Sequence, residues 1–262
     1  MPRRFTLAVA NMRWRSIVIL ALTSCLVACS AARQFPALGE RTTGECAIPP
    51  DSSRPQYIIG YGSLMQDDSR KRTSPGAGPA HPLEIRGYRR GWFARGKAVG
   101  FGATYLGVLP DREGHLNAVI YQVDPAELAA TDKRESSYCR TSVTVPDIKP
   151  LEGDYLPPQD AQAWIYVSRP QNVAAPDSRN PIVQSYVDIF LSGCLEQEQR
   201  LGLTDFSHQC LITTAAWSEH WVNDRIYPRR PFIFQPRAAQ IDNLLARQLP
   251  QYFSRIRIES GS

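Results

Sequence analysis

The 262-residue chain contains neither a Cys-x-x-Cys nor a His-x-x-x-His sequence, although it has six cysteines and four histidines. Zinc sites commonly take their ligands from such closely spaced pairs. The histidines are scattered along the chain, so each is expected to be a surface or structural residue, and no metal site is predicted. They are His81, His115, His208 and His220.

Two glycine-containing motifs are also missing. Around Ser63 the sequence reads "YGSLM", whereas the nucleophile elbow of a serine hydrolase requires Gly-x-Ser-x-Gly. Gly60 and Gly62 are followed by Met65 at the position where a dinucleotide-binding Gly-x-Gly-x-x-Gly loop has its third glycine. The sequence therefore predicts neither kind of site.

Acidic residues are absent from residues 1–28, which carry four arginines and an apolar run over 17–27. A basic start followed by a short apolar stretch is typical of a secretory signal peptide. The run is shorter than the about 20 residues that span a bilayer. Removing residues 1–28 lowers the net charge from +5 to about +1, which argues against a nucleic acid as partner.

The expected signal peptide ends at Ala28. The sequence Leu26-Val27-Ala28-Cys29 at this point resembles the lipobox of bacterial lipoproteins. The resemblance implies a lipid on Cys29, export across the inner membrane, and attachment to a membrane of the cell envelope. An ordinary signal peptide with a chance cysteine is the alternative. Residues 29–54 are polar and hold three prolines, a composition typical of a flexible tether.

Beyond the tether, the patterns predict an α+β domain over residues 55–205. Asp124-Pro125 and Asn180-Pro181 each open a helix, and a third helix is expected over about 237–253. Short β-branched or aromatic stretches separated by Gly and Pro predict strands that form a barrel or a curled sheet. These stretches are 57–59, 83–85, 92–93, 101–109, 116–123, 142–145 and 163–167.

Residues 206–262 are expected to form a C-terminal helical extension packed on the domain. Trp217, His220 and Trp221 recur at helical spacing and predict an apolar stripe. The arginines of the extension are expected to be solvated, with a docking surface for an envelope protein or for anionic headgroups as the alternative. They are Arg225, Arg229 and Arg230.

Four cysteines remain beyond Cys29, namely Cys46, Cys139, Cys194 and Cys210. An even number in an exported protein permits disulfides, and four cysteines can pair in three ways. Cys194 with Cys210 is the preferred pair.

Several stretches occur in the order found in the γ-glutamylcyclotransferase-like family. They are "YGSL" at 61–64, "GFGATYLG" at 100–107, "LNAVIYQVDPAEL" at 116–128 and "PDSRNPIVQSYVDIFLSG" at 176–193, with Glu135 and Tyr138 before the last. Residues 57–203 thus resemble this family, which includes γ-glutamylamine cyclotransferases. On its own, Glu135 in the charged stretch 131–140 predicts only a solvated surface residue.

The resemblance implies a small mixed β-barrel with flanking helices, and an enzyme that needs no cofactor. The α-amine of a small γ-glutamyl amine or peptide would attack its own γ-carbonyl, with Glu135 as general acid/base, and release 5-oxoproline and an amine or amino acid. The substrate-binding residues implied are Tyr61, Gly62, Ser63, Leu64, Tyr138 and Tyr186. A lipoprotein that keeps the fold only as a binding or scaffolding module is the alternative.

Overall fold

The computed structural model describes residues 46, 48–96, 102–230 and 237–258. The expected signal peptide, Cys29 and residues 29–45 of the tether lie outside the described residues. All described residues belong to the unit Leu38–Ser262. Among them, no helix combines the length and the apolar character needed to cross a membrane.

A mixed sheet, ten-stranded over the described residues, forms the centre of the fold. Its strands are β1 (Gln56–Gly60), β2 (His81–Arg95), β3 (Thr104–Val123), β4 (Tyr138–Val143), β5 (Ile148–Pro150), β6 (Gln162–Ser168), β7 (Ile182–Val183), β8 (Thr214–Ala215), β9 (Trp221–Asn223) and β10 (Arg257–Ile258). Neighbours follow the order β10, β9, β7, β3, β1, β6, β4, and β2 leaves this path to pair with β3, β5 and β8. The long antiparallel hairpin of β2 and β3 changes register after Arg86 and Trp92.

The mixed α+β fold is confirmed, but the sheet is open rather than closed into a barrel. Closure requires the two end strands to pair. Here β4 at one end pairs with β6, and β10 at the other end pairs with β9. The short strands β9 and β10 come from the extension, so the extension continues the sheet at one end.

In the described part of the chain, six α-helices accompany the sheet: α1 (Asp67–Lys71), α2 (Pro125–Arg134), α3 (Gln184–Leu201), α4 (Phe206–Ile212), α5 (Ala238–Gln248) and α6 (Pro250–Phe253). Helix α2 begins at the predicted place because Asp124 accepts a hydrogen bond from the Glu127 amide at 2.7 Å, and Glu127 accepts one from the Asp124 amide at 3.1 Å. This reciprocal capping satisfies two amides that the helix leaves unpaired.

The other two predicted helices differ from the expectation at their ends. Helix α3 starts three residues later than Pro181, because Ile182 and Val183 pair as β7 with β3 and β9. It ends as predicted at Gly202, which has the left-handed φ of 63° that glycine adopts readily. The third helix is divided into α5 and α6 before Pro250, since proline has no amide hydrogen to donate within a helix.

Among the described residues, two disulfides join distant parts of the chain. The preferred pair is confirmed as Cys194–Cys210, which connects α3 to α4. Cys46–Cys139 connects the end of the tether to β4 across a separation of 93 residues. Each bridge restricts the unfolded chain and thereby favours the folded state.

The tryptophans of the extension are buried, but not on a helix. The ring of Trp217 lies 5.1 Å from that of Trp92 and 5.2 Å from that of Trp221, between ring centroids. Trp221 belongs to β9, and His220 is exposed. The predicted helical stripe is therefore wrong, because strand pairing to β7 outweighs the helical spacing of these residues.

Arg225 is also not solvated as expected. Its guanidinium donates to both carboxylate oxygens of Asp188 at 2.7 and 2.8 Å, and to both oxygens of Asp242 at 2.8 and 2.9 Å. Asp188 lies on α3 with its side chain fully buried, and Asp242 lies on α5. The arginine thus neutralises a buried charge and binds two helices together.

We expect Arg225→Met to lower the free energy of unfolding by about 3 kcal/mol, because it leaves the buried carboxylate of Asp188 without its charged partner. Arg255→Met is the matched control, since Arg255 pairs with Glu219 in an exposed ion pair and should cost less than about 1 kcal/mol. Urea denaturation of both variants measures the difference. Equal losses in the two variants would contradict this role of Arg225.

Candidate active site

A small chamber lies where β1 ends and opens beside a wider cleft. The chamber has a volume of about 20 Å³, room for roughly one water molecule. It is lined by Tyr61, Gly62, Ser63, Leu64, Leu106, Glu135, Tyr138, Tyr166 and Tyr186. The cleft has a volume of about 550 Å³ and shares Ser63, Glu135, Tyr138 and Tyr186 with the chamber. All residues predicted for catalysis and substrate binding are therefore brought together.

The loop after β1 lies directly against α3. Ser63–Met65 forms one turn of 3₁₀ helix, closed by a hydrogen bond from the Met65 amide to the Gly62 carbonyl at 3.0 Å. A Cβ atom on Gly62 would lie 2.9 Å from the Tyr186 hydroxyl, and one on Gly193 would lie 2.5 Å from the Gln66 nitrogen. Gly193 is needed because its backbone approaches that of the loop too closely for a side chain, whereas a Cβ on Gly62 would lie close only to the hydroxyl end of the Tyr186 side chain.

Glu135 follows the last residue of α2, and its amide donates to the Thr131 carbonyl at 2.8 Å. Only 16% of its side chain is exposed, so the expectation of a solvated surface glutamate is wrong. Burial raises the pKa of the Glu135 carboxyl, while the positive charges of Arg134 and Arg230 oppose this shift. A carboxyl group with a raised pKa can accept and return a proton near neutral pH.

Arg134 connects Glu135 to the loop and to α1. Its Nε lies 3.1 Å from Glu135 Oε1, and its Nη2 donates to Ser63 Oγ at 3.1 Å. Further hydrogen bonds reach Ser69 Oγ at 2.9 Å and the Ser69 carbonyl at 2.6 Å. Sequence reasoning treated Arg134 only as a neighbouring charge, because nothing local shows that its guanidinium reaches 71 residues back to Ser63.

The chamber tyrosines are neutral, and two of them donate their hydroxyl hydrogens to backbone carbonyls. Tyr61 donates its hydroxyl to the Tyr166 carbonyl at 2.6 Å, and Tyr138 donates to the Leu106 carbonyl at 2.9 Å. Burial raises the pKa of both phenols well above their usual value and raises the pKa of Tyr186 as well. The phenol oxygens of Tyr61 and Tyr138 keep lone pairs that can accept hydrogen bonds from a ligand.

Tyr166 and Leu106 line the chamber but were not predicted as site residues. Tyr166 donates its hydroxyl to Asp132 Oδ1 at 2.8 Å. Tyr166 belongs to β6 and Leu106 to β3, and the sequences of these strands are typical of buried core strands. Tyr166 directly follows Ile165, which pairs with Ile59 near the end of β1, whereas Leu106 pairs with Trp92 in the β2–β3 hairpin.

The fully buried Arg90 lies behind the chamber. Its Nη1 donates to the carbonyls of Tyr61 and Asn117 at 3.1 and 2.9 Å, and its Nη2 donates to the Cys210 carbonyl at 2.9 Å. Burial lowers the pKa of Arg90 to about 9, so it stays charged at neutral pH. This arginine fixes the start of the loop relative to α4 in the extension.

Metal ligation has no candidate in the described ranges. No group of three or more His, Cys, Asp or Glu residues among them could hold a metal ion.

The model of the family "Gamma-glutamyl cyclotransferase, AIG2-like" matches residues 58–185. The matched range includes every chamber residue except Tyr186, which follows it directly. No curated protein matches the chain.

Solved structures similar to the chain have low sequence identity. A "Gamma-glutamyl cyclotransferase" is 12% identical, with a TM-score of 0.47, over 60% of this chain and 87% of the other. An uncharacterized protein from Homo sapiens is 11% identical, with a TM-score of 0.45 over the same shares. A yeast γ-glutamyl cyclotransferase specific to glutathione is 11% identical, with a TM-score of 0.38, over 61% and 97%.

Replacing Glu135 by Gln removes the titration and keeps the side-chain volume. Because burial raises the pKa of Glu135, the folded protein holds this proton to a higher pH than the unfolded chain, where glutamate titrates near about 4.3. Ionisation therefore costs wild-type stability as the pH rises through the folded pKa, and Glu135→Gln avoids that cost. We expect the free energy of unfolding of the variant, relative to that of wild type, to increase as the pH rises above about 4.

Urea denaturation across this pH range measures the difference. Glu113→Gln, which makes the same exchange at an exposed position, is the matched control, and the change with pH should be larger for Glu135→Gln than for this variant. A difference between Glu135→Gln and wild type that stays constant with pH would show that the pKa of Glu135 is not raised.

Proposed function

We propose that the domain is a γ-glutamylcyclotransferase-type enzyme, which converts a γ-glutamyl compound into 5-oxoproline and a free amine or amino acid. The observation that carries the proposal is the position of Glu135. Within the range that matches the model of this family, a largely buried carboxyl with a raised pKa faces the same chamber as residues 61–64. A binding protein would have no need to hold an ionisable carboxyl there.

In this proposal the cleft binds the body of the substrate and the chamber receives the reacting end. A volume of about 550 Å³ lies within the range of ordinary small-molecule sites. Folding the glutamyl chain so that its α-amine meets its γ-carbonyl makes the attack intramolecular, which removes much of the entropic barrier. The phenol oxygens of Tyr61 and Tyr138 are suited to accept hydrogen bonds from the α-ammonium group.

The reaction forms one bond and breaks another. The α-amine nitrogen bonds to the γ-carbonyl carbon, and the carbon–nitrogen bond to the leaving amine then breaks. The α-ammonium nitrogen loses two protons as it becomes the lactam N–H. Glu135 takes them in turn: it delivers the first to the leaving nitrogen as the carbon–nitrogen bond breaks, and it releases the second, which is balanced when the free amine becomes an ammonium ion. Backbone amides of Gly62, Ser63 and Leu64 would stabilise the oxyanion that forms between the two steps.

Arg134 is assigned a positioning role in the same scheme. It holds the Glu135 carboxylate and the Ser63 hydroxyl with one guanidinium. Arg134 therefore fixes the position of Glu135, the proton-transfer group, relative to the loop of residues 61–64 that would bind the γ-carbonyl of the substrate. Such preorganisation avoids rearrangement during the reaction.

We expect Glu135→Gln to lower 5-oxoproline release by a factor of about 100 or more, because a general acid/base contributes roughly that much. Substrate binding should persist, since the amide keeps the shape of the side chain. The measurement is mass-spectrometric detection of 5-oxoproline from a panel of γ-glutamyl amino acids, γ-glutamyl-ε-lysine and glutathione. Glu113→Gln is the matched control and should retain wild-type turnover.

Wild-type turnover by Glu135→Gln would eliminate Glu135 as the proton-transfer group. If wild type releases no 5-oxoproline from any member of the panel but binds some of them, the domain acts as a binding module.

We also propose that the protein is an exported lipoprotein of the cell envelope, anchored to the membrane by a lipid on Cys29. The basic and apolar residues 1–28 and the lipobox-like sequence before Cys29 support this proposal. The two disulfides support it independently, since disulfides persist mainly in oxidising compartments outside the cytosol.

A bacterial host grown with labelled palmitate tests the anchor. The wild-type protein should incorporate the label and fractionate with membranes, whereas Cys29→Ser should do neither, because the thiol that carries the lipid is gone. Cys25→Ser is the matched control and should behave as wild type. An unlabelled wild-type protein, or a labelled Cys29→Ser protein, would contradict the proposal.

A further inference from the structure

The cleft beside the chamber is positively charged. Arg72, Arg134 and Arg230 line it, and Glu135 is the one carboxylate among its lining residues in the described part of the chain. Arg134 already pairs with Glu135. Arg230 therefore adds a positive charge beside the Arg134–Glu135 pair, which favours an anionic ligand.

Arg230 comes from the extension, outside the matched domain of residues 58–185. A turn that starts at the buried Asp224 carries it to the cleft. The Asp224 carboxylate accepts hydrogen bonds from the Ser185 amide at 2.7 Å, from the Ser185 hydroxyl at 2.6 Å and from the Arg229 amide at 2.8 Å. Because Ser185 precedes Tyr186 on α3, both ends of the turn are fixed to the helix that carries a chamber residue.

Arg230 is partly buried, so the expectation of a solvated charge is wrong for this residue as well. Its guanidinium carbon lies 5.0 Å from the ring centroid of Tyr105 and 5.7 Å from that of Tyr186. Within the described chain its Nε is buried and has no hydrogen-bond partner. A buried guanidinium donor without a partner is costly to the protein. A ligand acceptor in the cleft would remove this cost.

We propose that Arg230 binds a carboxylate of the substrate, so that the extension supplies a specificity residue to the cyclotransferase domain. This inference rests on the proposed function and names the chemistry that the cleft recognises. A guanidinium offers two parallel donors to a carboxylate, and such charge-assisted pairs are the strong ones. Tyr105 and Tyr186 hold the guanidinium plane in place through their rings.

Two carboxylates of a γ-glutamyl compound could meet Arg230. One is the α-carboxylate of the glutamyl group, next to the reacting amine. The other belongs to the leaving amino acid and is missing when the leaving group is a simple amine. Two ligands separate these sources, because γ-glutamyl-alanine and γ-glutamyl-ethylamide differ only by the carboxylate of the leaving group.

The experiment compares wild type with Arg230→Met, which removes the charge but keeps an unbranched side chain against the two tyrosine rings. Arg230→Lys tests whether a positive charge alone suffices. Arg247→Gln removes an exposed arginine of α5 outside the cleft and is the matched control. The readouts are kcat and KM for both ligands, and calorimetric affinity for both ligands in the Glu135→Gln background.

We expect Arg230→Met to raise KM, and to weaken binding in the Glu135→Gln background, by about 10-fold or more, as the loss of a charged hydrogen bond does. The change in kcat should be smaller. Arg230→Lys should recover part of the loss, and Arg247→Gln should match wild type. A loss confined to γ-glutamyl-alanine assigns the leaving-group carboxylate, and an equal loss for both ligands assigns the glutamyl α-carboxylate.

Unchanged KM and affinity for both ligands in Arg230→Met would overturn the inference. If wild type binds the ligands without releasing 5-oxoproline, the proposed reaction fails while the affinities still test Arg230. If the protein with Arg230 intact binds neither ligand, the inference falls together with the substrate class.

Discussion

The site depends on the close contact between the loop after β1 and helix α3. Gly193 lets the two segments approach to a distance that a Cβ would not allow, since a Cβ there would lie 2.5 Å from the Gln66 nitrogen. The contact sets Ser63 beside Tyr186, and both face the chamber that Glu135 enters from the end of α2. Helix, loop and carboxyl thus come from three separate parts of the chain. Packing of backbone on backbone leaves little freedom for the loop to move.

The extension takes part in this arrangement. Strand β9 pairs with β7 immediately before α3, and Asp224 accepts hydrogen bonds at the first turn of the helix. A carboxylate at this position satisfies free amides and interacts favourably with the helix dipole. From the other side, Arg90 holds the carbonyls of Tyr61 and Cys210. The extension therefore supports the loop and α3 together, and it brings Arg230 to the cleft.

Local signals in the sequence predict much of the fold. Asp124-Pro125 marks the start of α2 and Gly202 the end of α3, because caps depend on neighbouring residues. Short strands such as β9 have no comparable signal, so the open sheet and the conformation around Trp217 could not be predicted. The family resemblance identified the predicted site residues that line the chamber. It did not identify Arg134 or Arg230, because their roles depend on contacts between distant segments.

The central claim is intramolecular attack within the chamber, and isotope labelling tests it most directly. The protein is incubated in ¹⁸O-labelled water with γ-glutamyl-alanine that carries ¹⁵N in its α-amine, and the products are identified by mass spectrometry. The account predicts 5-oxoproline with ¹⁵N in its ring and no ¹⁸O, because water takes no part in ring closure. Glutamate containing ¹⁸O would show that water attacks the γ-carbonyl, and would contradict the account.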